Sequence, residues 1–409
     1  MDDVKKKVLY ISYDGMTDPL GQSQVIPYLS ELTKAGYQFT ILSVEKKNRF
    51  ATSGDYIRQV LTDAGIAWET LFFTSRPPVL SKLYDQWQLN KTAARLHKEK
   101  NFDLIHCRSY VAAEAGVKLF QRTGVPYLFD MRGFWVDERV DSGLWNLKNP
   151  LYKLFYNLYK KKEKKYFSQA GHIISLTRKG REELVNHYKV KAEKISVIPC
   201  CADLEHFDYR KLSNTDKTKA KEKLGIGQSD KVLCYLGSLG GWYMTGEMLD
   251  FFSVLVKKTP ATKFLFITQD DKDSIINKAI RRGIDPAAIR VQPASRNEVP
   301  LYLSVSDWSI FFIKDLYSKK ASSPTKQGEI MAMGVPIICN DIGDTGSILV
   351  KTNAGVVIDR FDTITYTKAI TELLQIATSK ESIREGSEKF YDLGKGVIEY
   401  LTAYKEIIK

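Results

Sequence analysis

A chain of 409 residues, 44% hydrophobic and 27% charged, has the balance of a globular protein in water. It is too long for one compact α/β core, and two domains of about 200 residues each are favoured. No apolar stretch reaches the roughly 20 residues that span a bilayer, and the charged start from Met1 to Lys7 precedes an apolar run only one strand long, so the expected location is the cytoplasm or the inner face of the cell membrane.

Short apolar runs alternate with helical patterns from the start. Val8 to Tyr13 reads as a strand, Gln22 to Ala35 as a helix and Phe39 to Val44 as a strand. Further strands are expected at Trp68 to Phe73, Leu104 to His106, Tyr127 to Asp130, His172 to Leu176 and Ile195 to Ile198. Between them, Lys148 to Phe167 combines seven lysines with Leu151, Leu154, Phe155, Leu158 and several tyrosines. That is a basic amphipathic helix, which fits either an anionic membrane surface or packing on its own domain. The pattern then restarts. Ser213 to Leu224 is polar and helical, and strands follow at Lys231 to Leu236, Lys263 to Ile267, Ile289 to Gln292, Trp308 to Ile313 and Val335 to Cys339. Thr363 to Ile408 reads as helical throughout.

Strands separated by helices mean βαβ units and parallel sheets, here two Rossmann-like domains joined near Pro199 to Phe207. The expected divisions are 1–200, 201–390 and a final helical segment, 391–409. Ligands of such sheets bind beyond the C-terminal strand ends, so two facing domains would make a cleft. A net charge of +13 points to an anionic partner. Anionic lipid and phosphorylated small molecules fit; nucleic acid ranks last because no nucleic-acid module is spelled. The five cysteines are odd in number and lack zinc spacing, which reads as reduced, buried thiols.

Four segments carry chemistry. Asp14 to Gln24, containing Gly21, Gln22 and Ser23, follows a strand and opens a helix, where glycine and free amides suit an anion and an ordinary βα turn fits equally well. In Ser322-Ser323-Pro324-Thr325-Lys326, Ser323 is placed to cap a helix starting at Pro324. Amides at that helix end plus Lys326 suit a diphosphate, and Glu329, one turn on, can accept from a ribose diol, although for either residue alone a capped helix with a solvated Lys and Glu fits better. The loop Gly237-Ser238-Leu239-Gly240-Gly241-Trp242 follows the first strand of the second half and admits close backbone approach, its aromatics fitting a sugar or base wall and core packing equally. Asp130 to Arg139 places Asp130, Arg132 and Arg139 with two aromatics at a strand end, which suits a carbohydrate or phosphate. Asp271-Lys272-Asp273 spells D-x-D but sits where acidic residues start a helix, so no metal is expected.

Taken together these segments resemble family 4 of the retaining glycosyltransferases, which have the GT-B fold. The resemblance runs over nearly the whole chain. His106-Cys107-Arg108-Ser109 and Asp130-Met131-Arg132-Gly133 match cleft segments of the family's N-domain. Val197 to Phe207 resembles its interdomain V-I-P-x-G-V-D-x-x-x-F, and Ser323 to Lys326 with Glu329 to Pro336 resembles its donor-binding helix. The chain departs from the family at three places: Ala321 stands for the first of two glutamates eight positions apart, Ser238 for a loop arginine, and Arg132 for a usual histidine.

The resemblance implies a nucleotide-diphosphate-sugar donor on the second domain and a glycan or lipid-linked acceptor on the first, with retention and no cofactor, and a last helix, near Gly396 to Ile408, that crosses back onto the first domain. It implies Lys326, with Asp130 and Arg132, as catalytic. Gly237, Ser238, Gly240, Gly241, Trp242, Ser322, Ser323, Pro324, Thr325 and Glu329 fall to the donor side. Gly21, Gln22, Ser23, His106, Arg108 and Arg139 fall to the acceptor side. Surface polysaccharide synthesis is the expected setting. A nucleotide-sugar 2-epimerase and a non-catalytic nucleotide-sugar or glycan-binding protein share the fold and remain alternatives.

Overall fold

The computed structural model describes residues 5–408, apart from the side chains of Pro78 and Val79. The charged start read at Met1 to Lys7 therefore lies largely outside the described residues. Two compact units divide the chain: Met1–Pro199, Lys320–Ser322 and Leu393–Lys409 form the first, Cys200–Lys319 and Ser323–Asp392 the second.

The first unit runs β1 (Lys6–Ser12), α1 (Pro19–Gln24), α2 (Ile26–Lys34), β2 (Tyr37–Glu45), α3 (Lys47–Asp63), β3 (Ala67–Phe72), α4 (Pro78–Lys100), β4 (Leu104–Arg108), α5 (Ser109–Thr123), β5 (Tyr127–Asp130), α6 (Trp135–Asp141), α7 (Pro150–Gln169), β6 (His172–Ser175), α8 (Arg178–Asn186) and β7 (Ile195–Val197). Its seven strands are parallel in the order β3-β2-β1-β4-β5-β6-β7. Residues of β4, β5 and β6 are buried throughout because helices cover both sheet faces, which explains their continuous apolar runs.

The second unit runs α9 (Asn214–Lys223), β8 (Lys231–Leu236), α10 (Thr245–Lys258), β9 (Thr262–Ile267), α11 (Lys272–Ile280), β10 (Ile289–Gln292), α12 (Val299–Ser304), β11 (Trp308–Phe311), α13 (Thr325–Ala332), β12 (Ile337–Asn340), α14 (Thr345–Thr352), β13 (Gly355–Ile358), α15 (Thr363–Gln375) and α16 (Lys380–Tyr391). Its order, β10-β9-β8-β11-β12-β13, repeats the first sheet's reversal of direction beside its first strand. In both units the strand order turns at that point, where doubly wound sheets bind ligands. The chain's last helix, α17 (Leu393–Ile407), belongs to the first unit and packs on α2, β5 and β6. Among the described residues no helix is long and apolar enough to cross a membrane.

The structure corrects several expectations. The helix read from Gln22 to Ala35 is two helices broken at Val25, whose φ of −124° leaves the helical region and caps α2, with Pro27 in that helix's first turn, where its missing N–H costs no hydrogen bond. Strand β13 falls in a span that does not read as a strand, because Gly355 opens it with φ +154° and breaks its apolar run. The final stretch, read as helical throughout, is three separate helices. Ser213 caps α9 in a full capping box with Asp216.

Candidate functional site

Each unit carries one polar cluster at the C-terminal ends of its strands. In the second unit the cluster is built around Lys326. A short 3-10 turn, Tyr317–Ala321, delivers the chain to Pro324, and α13 begins at Thr325. Pro324 is the N-cap and makes no side-chain cap; the expected cap, Ser323, instead accepts the Cys200 amide on its Oγ at 3.2 Å. The helix therefore starts one residue later than read. The third amide of this turn, that of Gln327, bonds back to Pro324 O at 3.0 Å, so the amides of Thr325 and Lys326 are the ones presented at the helix start.

Lys326 Nζ donates to Tyr235 Oη at 3.0 Å and lies 4.2 Å from the Tyr235 ring centre and 3.7 Å from that of Tyr243. Burial in this aromatic notch pushes its ammonium pKa down to about 7, against the pull of Glu329 and Asp270. Gly237, at the end of β8, has φ +101°, and a Cβ there would lie 3.2 Å from Lys326 Nζ. A side chain at this position would crowd the ammonium. Asp270 fixes the rest of the glycine loop by accepting the Leu239 amide, and Thr268 Oγ1 donates to it at 2.9 Å. Glu329 sits one turn beyond Thr325 and Lys326, 3.8 Å from Arg296 Nη1. Burial raises its carboxyl to about 7, although Arg296 and Lys326 both act to lower it. Trp242 carries the Lys319 ammonium 3.5 Å from its ring centre, while Ser238, Gly240 and Gly241 are exposed.

In the first unit the cluster centres on Asp130, the last residue of β5 and 1% exposed. His106 Nε2 and Arg108 Nη1, both from β4, lie 3.7 and 3.6 Å from Asp130 Oδ2; Arg132 Nη1 lies 3.6 Å from Oδ1. Tyr400 Oη, from α17, donates to Oδ2 at 3.2 Å. Burial by itself would raise the Asp130 carboxyl, but Arg132, His106 and Arg108 outweigh it and hold the group down at about 2. Arg132 adopts φ +59°, a conformation uncommon for a residue with a side chain and one that concentrates at functional sites. Three buried atoms here, His106 Nε2, Arg108 Nε and Asp130 Oδ1, have no hydrogen-bond partner among the described residues.

The structure separates the remaining expected residues. Gly21 is a packing glycine: a Cβ there would come within 2.4 Å of Gly15 O. Gln22 and Ser23 bond within their own loop, to Thr17 O and Pro19 O. The free amides expected in this segment are in part already used, because those of Met16 and Thr17 donate to the buried carboxylate of Glu45 at 2.7 and 3.2 Å. Arg139 lies 4.7 Å from the Trp135 ring centre, one turn along α6. Ser322, expected among the donor residues, lies in the segment Lys320–Ser322 that belongs to the first unit. There Thr177 Oγ1 donates to Lys320 O at 2.6 Å and the Lys320 ammonium pairs with Glu183 at 3.0 Å. Asp271 caps α11 by accepting the Ser274 amide at 2.7 Å, which is the helix-start role read for D-x-D. All five cysteines are buried, and none forms a disulfide.

Sequence reasoning misses the residues that act from a distance along the chain: Glu45, Asp270, Arg296, Tyr400 and Tyr404. Only Glu45 leaves a signal, a carboxylate ending the otherwise apolar run Phe39 to Val44.

Two doubly wound parallel sheets, each with a polar cluster at its strand ends, are the architecture of GT-B glycosyltransferases. Solved structures share it: a glycosyltransferase from Rickettsia africae matches with a TM-score of 0.72 at 16% identity, over 99% of both chains. The Anabaena protein HepE, crystallised with UDP and glucose, matches with a TM-score of 0.69 at 14% identity, over 98% of this chain and 99% of that one. The chain belongs to glycosyltransferase family 4: residues 21–206 match the model described as Glycosyltransferase Family 4, and residues 216–390 the one described as Glycosyl transferases group 1. It is a glycosyltransferase. Among curated relatives it is similar to D-inositol 3-phosphate glycosyltransferase 2 of Catenulispora acidiphila, with 19% identity over 76% of this chain and 69% of that protein.

Proposed function

We propose that the protein transfers a sugar, with retention, from a nucleotide diphosphate donor to a glycan or lipid-linked acceptor, without a metal. The observation that carries this reading is Lys326: a cation seated on two tyrosine rings at a helix start, against a glycine that leaves its ammonium open to approach. In this reading the bond from the anomeric carbon to the diphosphate breaks through an oxocarbenium-like state. The leaving oxygens gain charge, and fixed donors aimed at them lower the barrier. Lys326 Nζ and the Thr325 and Lys326 amides supply those donors. Glu329, with Arg296 beside it, accepts from the ribose diol. Asp130 and Arg132 orient the acceptor and the reacting sugar, with His106 and Arg108 behind them.

HepE was crystallised with UDP-glucose as well as with UDP, which supports a uridine diphosphate sugar as the first donor to try. The curated relative is named for a phosphorylated inositol acceptor, and a phosphorylated acceptor also suits a chain of net charge +13. Peripheral contact with an anionic membrane belongs to the same proposal, through the exposed Leu151, Leu154 and Leu158 of α7 and the exposed lysines that follow them.

The test is a product assay with a panel of nucleotide sugars, with and without D-inositol 3-phosphate or lipid-linked acceptors, in excess EDTA. Acceptor-dependent release of the nucleoside diphosphate, with the anomeric configuration kept, is expected. Loss of turnover on chelation, restored by Mg²⁺ or Mn²⁺, would overturn the metal-free part. Conversion of the donor sugar without acceptor would make the protein an epimerase.

A further inference from the structure

The last helix of the chain reaches into the Asp130 cluster from beneath. Tyr404 Oη lies 2.6 Å from His106 Nδ1, and Tyr400 Oη lies 3.2 Å from Asp130 Oδ2. Both tyrosines are buried, at 0% and 4% exposure, and ring contacts hold them: Tyr404 against Tyr37 and Phe39, Tyr400 against Tyr28.

These contacts decide where the proton of His106 sits. Burial, helped by Arg108 and Arg132, lowers the imidazole pKa, so the ring is neutral and carries one N–H. Its Nε2 faces the ionised Asp130 carboxylate at 3.7 Å, and an ionised carboxylate only accepts. A lone pair at Nε2 would be set against a negative charge, whereas a proton there is attracted. Nδ1 must then accept, and Tyr404 is available to donate because burial raises its hydroxyl pKa far above the usual range. The other groups near the ring are compatible with this assignment. Tyr10 of β1 lies tilted against the ring at 4.4 Å between ring centres and is pushed up to about 12 by burial, so it too stays protonated.

We propose that Tyr404 and Tyr400 are positioning residues: Tyr404 fixes His106 as its Nε2–H tautomer, and together His106 and Tyr400 hold Asp130 Oδ2 so that Oδ1 is the oxygen presented to a substrate hydroxyl. The inference rests on the reading of Asp130 as part of the acceptor-side site. It makes the C-terminal helix a part of the reaction machinery, acting through His106 and Asp130 without touching substrate. Oδ1, with Arg132 Nη1 3.6 Å away, and Arg108 Nε, with Asp14 Oδ2 3.9 Å away, are buried and make no hydrogen bond among the described residues, and they are the atoms such a hydroxyl would meet.

The test is ¹⁵N spectroscopy of the full chain labelled at histidine, with His106→Gln identifying the resonance among the five histidines. In the wild type at pH 7 and above, His106 is expected to show a protonated Nε2 and an unprotonated, hydrogen-bonded Nδ1. Tyr404→Phe keeps the ring and removes only the hydroxyl. It is expected to shift both nitrogen resonances and to lower kcat about five- to tenfold, the worth of one such hydrogen bond, while the donor KM stays put. A wild-type His106 that is protonated at Nδ1, or cationic at pH 7, overturns the inference. So does a Tyr404→Phe protein with wild-type resonances and kcat. Should that variant fail to fold, the wild-type spectrum alone decides. The spectrum needs no turnover, so a failure of the proposed reaction and a failure of this inference are told apart.

Discussion

At the scale of single residues, Lys326 and Glu329 share one face of α13 and are assigned different work. In the proposed reaction Lys326 faces a group whose charge grows in the transition state, whereas Glu329 faces a ribose that does not change. Lys326→Ala is therefore expected to lower kcat by about 10²–10³-fold, as loss of one electrostatic donor does. Glu329→Ala is expected chiefly to raise the donor KM. Steady-state kinetics separate the two, and equal effects on both constants would merge the roles. The depressed pKa of Lys326 adds a pH signature. In the free protein the ammonium is half deprotonated near pH 7, because burial disfavours its charge. A bound diphosphate restores that charge, so binding takes up a proton above pH 7. Donor affinity is expected to weaken by up to about tenfold per pH unit between pH 7 and 9, and calorimetry in buffers of different ionisation heat should register the proton. Lys326→Arg, which stays charged, should flatten the profile even where it binds less well.

At the scale of elements, the loops that carry the sites are shaped by carboxylates lying elsewhere. Glu45 is fully buried at the end of β2 and accepts from the Met16 and Thr17 amides, from Thr17 Oγ1 at 2.6 Å and from Ser43 Oγ at 2.6 Å. With both Glu45 oxygens accepting, from four donors in all, Glu45→Gln turns an amide NH₂ toward one of those donors. A loss of about 1–3 kcal/mol of stability is expected, seen as a lower Tm, together with a raised acceptor KM as the Asp14 to Gly21 loop loosens. A variant with unchanged Tm and unchanged acceptor KM would make Glu45 a spectator. Helix α7 is organised the same way on its inner face, where Glu163 is fully buried and accepts from Tyr110 and Tyr188 Oη at 2.6 Å each. Lys160, counted by sequence with the basic face, turns inward to Glu163 and Asp137. The outward stripe is Leu151, Leu154 and Leu158, three or four residues apart, with exposed Lys161 and Lys165 continuing it. Replacing the three leucines by serine is expected to reduce sedimentation with anionic liposomes and leave turnover of a soluble acceptor unchanged. Equal binding of wild type to neutral and anionic vesicles would remove the membrane from the proposal. These cases show what the sequence made legible. Strands such as β5, β8 and β10 can be read to the residue because an apolar run bounded by turns has a local cause. Helix α13 is legible from Pro324, Thr325, Lys326 and Glu329 for the same reason. Glu45 with Met16, Asp270 with Leu239 and Tyr404 with His106 are pairings between distant segments, fixed only when the sheet sets its strand order, and no local pattern encodes them.

At the scale of the whole molecule, the first unit is discontinuous in sequence: its sheet is complete by Val197, but one face is closed only by residues about two hundred positions later. Helix α17 contributes Val397, Tyr400, Ala403 and Tyr404 to that core, none more than 8% exposed, and Ile407 lies against Gly171, where a Cβ would come within 3.2 Å of it. Burying a side chain of this size is worth about 1.5–3 kcal/mol, so the two tyrosines and Val397 together represent several kcal/mol against a total domain stability of about 5–15 kcal/mol. The second unit has its own core, running from Ala202 to Tyr391, which α17 does not enter. Ending the chain after Asp392 is therefore expected to affect the two units unequally. Backbone amides of β1, β2, β4 and β5 should lose hydrogen-exchange protection, and the polar face around Asp130 should lose the two hydroxyls that order it. Amides of β8, β9, β11 and β12 should keep theirs, and nucleoside diphosphate binding, assigned to Lys326 and Glu329, should survive with it. Loss of protection spread evenly over both sheets would mean that the units fold as one cooperative body, and that α17 stabilises the whole chain and not the first unit alone.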